Sequence, residues 1–156
     1  MRLGSGIAPL LEMFEHKVRV GLGVDGSSSN DSGHMLNEAR QAMLLQRVKH
    51  GASAITARDV LRTATRGGAK VLRHNNIGQI APGLSADIAF YDMQSVDLAG
   101  THTDPLAGLV FCGPVKTKHT IINGKFVVED GHLTTMNLSS LLEEHRKLSI
   151  ELLNSA

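Results

Sequence analysis

The stretch VGLGVDGSSSND, residues 20–31, ends an apolar run on a carboxylate, Asp25, then continues through glycine, serines and asparagine to a second carboxylate, Asp31. A carboxylate in that position has three chemical uses: ligand to a divalent cation, general base, or acceptor in a turn before Gly26. Asp25 and Asp31 could pair for acid–base work, but Asn30, Asp31 or Ser32 is better placed to cap a following helix. Eight histidines stand at positions 16, 34, 50, 74, 102, 119, 132 and 145, never closer than 13 residues. No His-x-His or His-x-x-x-His spacing occurs, so no complete metal site is legible, and each histidine reads first as a surface or packing residue. Ser5 in GSG and the serines at 27–29 have no recognisable base. GLGVDG is a phosphate loop only superficially, with no Lys-Ser/Thr ending.

Composition narrows the classes further. The 156 residues are 42% hydrophobic and 20% charged, which suits one globular domain rather than a disordered chain. Sixteen basic against fifteen acidic side chains give no field for nucleic acid, and five aromatics give few stacking platforms. The single cysteine, Cys112 in the apolar run GLVFC, excludes a disulfide framework and reads as a buried core thiol. No run approaches the roughly 20 apolar residues of a membrane span, and the first residues lack a signal-peptide layout. A cytoplasmic protein without membrane or nucleic-acid partners is expected.

The elements that must position Asp25 follow from periodicity. IAPLLEMFEH, residues 7–16, reads as a short amphipathic helix with Ile7, Leu10, Leu11 and Phe14 on its apolar side. In VRVGLGVD, residues 18–25, Val18, Val20, Leu22 and Val24 alternate with Arg19, Gly21, Gly23 and Asp25. That pattern predicts a strand with one branched face and one nearly bare face that carries Asp25. A helix to about His50 follows, with Leu36, Ala39, Met43 and Leu44 inward. Thr56 and Asp59 form an approximate capping box for a helix to about Arg73, with Ala57, Val60, Leu61, Ala64, Val71 and Leu72 at helical spacing. From Ile77 the texture is short strands. Asn123-Gly124 and Asp130-Gly131 each predict a tight turn, the first between hairpin strands. A last helix spans about Leu138 to Leu153, started by Ser140 with Glu143. A lone helix–strand–helix needs neighbouring parallel strands that this chain does not offer, so something upstream is expected.

The bare face that ends on Asp25 matters because the C-terminal end of a barrel strand is where catalytic groups sit. Here the residues resemble the metal-dependent amidohydrolases, in the branch of 8-oxoguanine deaminase and hydroxyatrazine ethylaminohydrolase. The stretches that carry the resemblance are MRLGSGIAPL (1–10), VGLGVDGSSSND (20–31), LNEARQAMLLQRV (36–48) and TARDVLRTATRGGAKVL (56–72). They continue through IGQIAPGLSADIAFYD (77–92), DPLAGLVFC (104–112) and INGKFVVEDGHLTTMNL (122–138).

The resemblance implies an α/β fold: the last strand and helices of a (β/α)8 TIM barrel, the C-terminal part of a small β-sandwich subdomain, and a terminal helix. The expected divisions are 1–75 for the barrel end, with its last strand at 18–25, 76–136 for the sandwich portion and 137–156 for the helix. Of the family's metal ligands only the aspartate ending the eighth strand maps here, onto Asp25. Gly26, Asn30 and Asp31 map onto the structural loop after it, and no substrate-binding residue is assigned. The histidine ligands and proton-shuttling residues are expected upstream of Met1, which resembles an internal methionine of the family, so that the chain corresponds to a C-terminal third. The implied enzyme hydrolyses a non-peptide C–N bond of a purine-like heterocycle, with 8-oxoguanine first and guanine, thiomethyladenosine or triazines as rivals. It would use zinc or another divalent metal and act as a homo-oligomer. The isolated chain is expected to be inactive and to hold no metal tightly. The alternative is a catalytically inactive truncated product or an interaction module.

Overall fold

The computed structural model describes residues 3–155. Met1 and Arg2, and with them the reading of Met1 as an internal methionine, lie outside the described residues.

Among the described residues six α-helices and four short strands come in order along the chain. Helix α1 is Leu10–Glu15, one turn and a half beginning directly after Pro9, with Leu10 buried and Leu11 and Phe14 packed beside it. Ile7 stays outside the helix and is exposed. Helix α2, Met35–His50, buries Leu36, Ala39 and Met43, the expected stripe, with Leu44 packed alongside. Its N-cap is His34, and no side chain caps it, which corrects the expectation that Asn30, Asp31 or Ser32 would do so. Those three residues lie two to four positions too early, in a loop with bonds of its own.

The expected capping box is present at α3, Ala57–Arg62: the Thr56 hydroxyl accepts from Asp59 N–H, and the Asp59 carboxylate accepts from Thr56 N–H at 3.0 Å. The helix then loosens into one π turn, Thr63–Gly67, and resumes as α4, Gly68–Leu72. A π turn inserts a residue into the helical repeat and rotates the next stretch of helix about its axis. Ala69 is therefore buried while Val71 and Leu72, expected on the apolar stripe, face outward.

Strands β1 (Ile88–Phe90), β2 (His119–Ile122), β3 (Lys125–Glu129) and β4 (His132–Leu133) form one antiparallel sheet in sequence order. Both dipeptide turns have the backbone that their residues predict: φ is 48° at Asn123 and 77° at Gly124, and 45° at Asp130 and 77° at Gly131. Paired positive φ is what a type I′ turn demands and what Asn-Gly and Asp-Gly tolerate. Helix α5, Pro105–Phe111, interrupts the strands, capped by the Asp104 carboxylate, which accepts from Ala107 N–H. It buries Gly108 and Val110. Cys112, two residues past Val110 and so about 200° around the axis, is exposed rather than a core thiol. Helix α6, Leu138–Asn154, has no buried residue, and its cap is Asn137, whose side chain accepts from Ser140 N–H. The Glu143–Lys147 pair spans one turn at 3.2 Å.

Leu10, Ala39, Met43, Ile55, Ala57, Val60 and Val110 form the main core, so that α2, α3 and α5 close around it. Residues 18–26 join this core without strand pairing: Val20 and Leu22 pack against it, and no ladder partner exists for them among the described residues. The segment lies instead on the π turn and α4. A side chain at Gly67 would collide with the Val20 carbonyl, and a Cβ at Gly21 would come within 2.9 Å of Gly68 Cα. Gly21 thus serves contact with the helix, whereas Gly23 and Asp25 face open space.

Candidate metal and catalytic site around Asp25

Asp25 is exposed at the end of this segment and stands at φ 62°, in the left-handed region that only short polar residues and glycine visit readily. Both of its oxygens are held. Gly26 N–H donates to Oδ1 at 2.8 Å and the Ser29 hydroxyl donates to Oδ2 at 2.6 Å. These bonds, Ser29 first and then Gly26, stabilise the ionised form and hold the carboxyl below its ordinary value of 3.8. Asp25 is therefore an ionised, pre-oriented carboxylate at neutral pH, in the state that a metal ligand or a general base requires.

The loop behind it is a compact turn. The N–H groups of Ser29 and Asn30 both donate to Gly26 C=O, at 3.0 and 2.9 Å. Asn30 is not a cap but a brace: its Nδ2 donates to Val24 C=O at 2.8 Å and to Glu38 Oε1 of α2 at 2.7 Å, while its Oδ1 accepts from Ser32 N–H. An open hollow at this end is bounded by Gly6, Gly23, Asp25, Asn30, Glu38 and Gln41, and Asp31 also lines it. It brings Gly6 of the N-terminal GSG stretch beside the stretch that carries Asp25.

Gln46 was invisible to sequence reasoning. It lies on α2 at 2% exposure, where an amide costs free energy unless it is bonded. Its Nε2 donates to Ala8 C=O at 2.9 Å and its Oε1 accepts from Leu11 N–H at 3.4 Å, tying the segment after Gly6 to the helix that succeeds Asp25. The available signal was a polar residue at i+3 from Met43 on the buried stripe.

Three alternatives to the Asp25 reading lose ground. Gly21, Gly23 and Gly26 do stand in G-x-G-x-x-G spacing, but the next helix begins only at Met35, so no helix N-terminus opens directly after Gly26 to receive a phosphate. Asp31 lines the hollow, yet both oxygens of Asp25 are engaged by Gly26 and Ser29 rather than shared in a carboxylate pair. Among the described residues no histidine lines the hollow either; His119, for example, packs edge-on between Phe90 and Phe126 in the sheet.

The fit to a metal is that of one ligand. A carboxylate oxygen is one of the protein donors that zinc or another divalent cation accepts. No group of three or more His, Cys, Asp or Glu side chains suited to a metal occurs among the described residues. A tetrahedral centre needs further protein ligands besides Asp25, with or without an exchangeable water, and these would have to come from outside the described residues.

The described residues thus combine an α/β segment, a small antiparallel sheet and an oriented aspartate beside an open hollow. The chain belongs to the amidohydrolase family, which it matches over residues 1–127. It is 42% identical over 146 residues to an 8-oxoguanine deaminase of Pseudomonas aeruginosa, covering 94% of this chain and 32% of that protein. It is 37% identical to a 5-methylthioadenosine/S-adenosylhomocysteine deaminase of Pelotomaculum thermopropionicum, covering 99% and 36%. Among solved structures, an atrazine chlorohydrolase from Arthrobacter aurescens complexed with zinc superposes with a TM-score of 0.86 at 33% identity, over 94% of this chain and 33% of that one. An adenosine deaminase from Xanthomonas campestris with bound zinc gives 0.89 at 29% identity, over 97% and 35%. The fold is thus that of part of an amidohydrolase TIM barrel with its small sheet, and the chain spans about a third of the length of these relatives. No helix among the described residues is long and apolar enough to cross a membrane.

Proposed function

We propose that this chain supplies the final metal ligand and general base, Asp25, to a hydrolase that deaminates a purine-like heterocycle. The observation that carries the proposal is the paired hold on the Asp25 carboxylate by Gly26 and Ser29 at the end of the VGLGVD segment. Residues 18–25 would be the last barrel strand, within a barrel end at 1–75, followed by a sandwich portion at 76–136 and a terminal helix at 137–156. The unpaired backbone of 18–24 would gain its ladder from strands outside this chain.

When bound, zinc or a similar ion lowers the pKa of a water from 15.7 to about 7. One oxygen of Asp25 would face the ion, and the other would take a proton from the attacking water. The water oxygen bonds to the ring carbon that bears the exocyclic amine. The C–N bond would then break as the proton taken up by Asp25 passes on to the departing nitrogen, which leaves as ammonia. Gly26 N–H and the Ser29 hydroxyl hold the carboxylate ionised until that transfer.

The substrate we favour is 8-oxoguanine, because the relative at 42% identity is named for it; guanine, thiomethyladenosine and triazines are the rivals. A cytoplasmic homo-oligomer is the form we propose for the complete enzyme. The test is ammonia release from each of these compounds by the chain combined with a polypeptide that carries the upstream histidine-bearing strands. The reading predicts release with the combination and none with either part. Failure on every compound despite stable association would reject it. A second reading, an interaction module without activity, is favoured by α6, whose leucines all face outward; it predicts association without ammonia release.

A further inference from the structure

Asp25 keeps a left-handed backbone that an L-residue adopts at a cost, which contacts beyond the residue can offset. Gly26 and Ser29 fix the carboxylate relative to its own turn, but they do not fix the turn relative to the helices. Asn30 makes that link. Its Nδ2 reaches Val24 C=O, the peptide immediately before Asp25, and Glu38 Oε1 on the first full turn of α2.

The amide has one orientation compatible with this setting. Ser32 N–H points at Oδ1, and two acceptors, a carbonyl and a carboxylate, face Nδ2. Asn37, also on α2, donates from its Nδ2 to the Ser32 hydroxyl at 2.9 Å, so the loop is stitched to α2 at two neighbouring points. An aspartate at position 30 has the same shape but would place acceptor against acceptor at Val24 and charge against charge at Glu38.

We propose that Asn30 and Glu38 act together as a positioning bracket that holds Asp25 in its left-handed conformation and aims its carboxylate into the hollow. Neither residue touches a reacting atom. The inference rests on the proposed role of Asp25, but the conformation it explains can be read without any reaction.

The experiment is solution NMR on the full chain, with the strong intraresidue HN–Hα NOE of a positive-φ residue as the signature of Asp25. Asn123 and Asp130, at φ 48° and 45° in the two sheet turns, are internal references that the bracket does not touch. Asn30→Asp should lower the ratio of left-handed to other Asp25 conformers about tenfold, the scale of one lost bond to a charged partner, with the references unchanged. Glu38→Ala should act in the same direction, and Glu38→Gln, which keeps an Oε1 acceptor, should restore most of the population. In the assembled deaminase, Asn30→Asp should lower kcat and leave KM nearly unchanged.

A ratio of left-handed to other Asp25 conformers that is unchanged in both Asn30→Asp and Glu38→Ala overturns the bracket. Should Asn30→Asp unfold the chain, seen as loss of all three signatures, Glu38→Ala against Glu38→Gln decides alone. That fall in the Asp25 ratio in an assembled enzyme whose kcat does not change would uphold the bracket and reject the proposed role of Asp25.

Discussion

Replacing Gly67 with alanine sets helix propensity against close packing where the Asp25-bearing segment lies on its helix. Gly67 and Gly68 both have helical backbone, with φ −64° and −55°, so alanine fits either without strain. On propensity alone each substitution should stabilise by about 1 kcal/mol. Their surroundings differ. A Cβ at Gly68 meets nothing within 4 Å, whereas one at Gly67 runs into the Val20 carbonyl, a backbone atom that cannot rotate away. Overpacking of that kind costs about 1–3 kcal/mol. Propensity cancels between the two variants, so Gly67→Ala should be about 1–3 kcal/mol less stable than Gly68→Ala, and Gly68→Ala should exceed the parent. Urea unfolding followed by circular dichroism measures both midpoints, with equal m-values as the check that the unfolded states match. Equal stabilisation by the two alanines would refute the claim that the 18–24 segment is seated directly on the π turn and α4.

Other expectations are local. Thr56→Ala removes an N-cap acceptor and should cost about 1 kcal/mol in urea unfolding, with Thr56→Ser close to the parent; no loss would mean that the capping box contributes nothing to α3. Glu12 is held below its ordinary 4.5, chiefly by the Lys49 ammonium at 2.7 Å, which links α1 to α2. A depressed folded-state value stabilises above the unfolded pKa and is lost as pH falls through the folded one. The stability gap between the parent and Lys49→Met should therefore be present at neutral pH and close on acidification below 4.5. A gap that widens in acid would reverse the assignment.

Local chemistry was legible in the sequence, and non-local pairing was not. Asn123-Gly124 and Asp130-Gly131 announce their turns because few other residues accept positive φ, and Thr56 with Asp59 announces a cap because both partners lie within one turn. The stripe of α2 was legible because three apolar residues at helical spacing suffice to bury one face. The π turn at 63–67 was not, since a one-residue insertion in the hydrogen-bond ladder leaves composition unchanged yet turns Val71 and Leu72 outward. Cys112 was misjudged because an apolar neighbourhood in sequence says nothing of the angle at which a helix ends. Asp25 was singled out by a charge ending an apolar run, but Asn30 looked like a cap. Its partners, Val24 C=O and Glu38, sit six and eight residues away on opposite sides, a geometry that no short-range rule encodes. Gln46 escaped for the same reason, its partners lying 38 and 35 residues away.

The central claim is that Asp25 is both ligand and base in the completed deaminase, and one ratio tests it most directly: turnover of Asp25→Asn against the parent chain, each combined with the upstream polypeptide at saturating zinc. Asparagine keeps the shape and the Gly26 and Ser29 contacts within reach while removing the proton acceptor. A role as general base predicts a fall of about 10²–10⁴-fold in ammonia release, the usual worth of a positioned base. Turnover retained above about a tenth of the parent's, a barrier change of under about 1.4 kcal/mol, would contradict it.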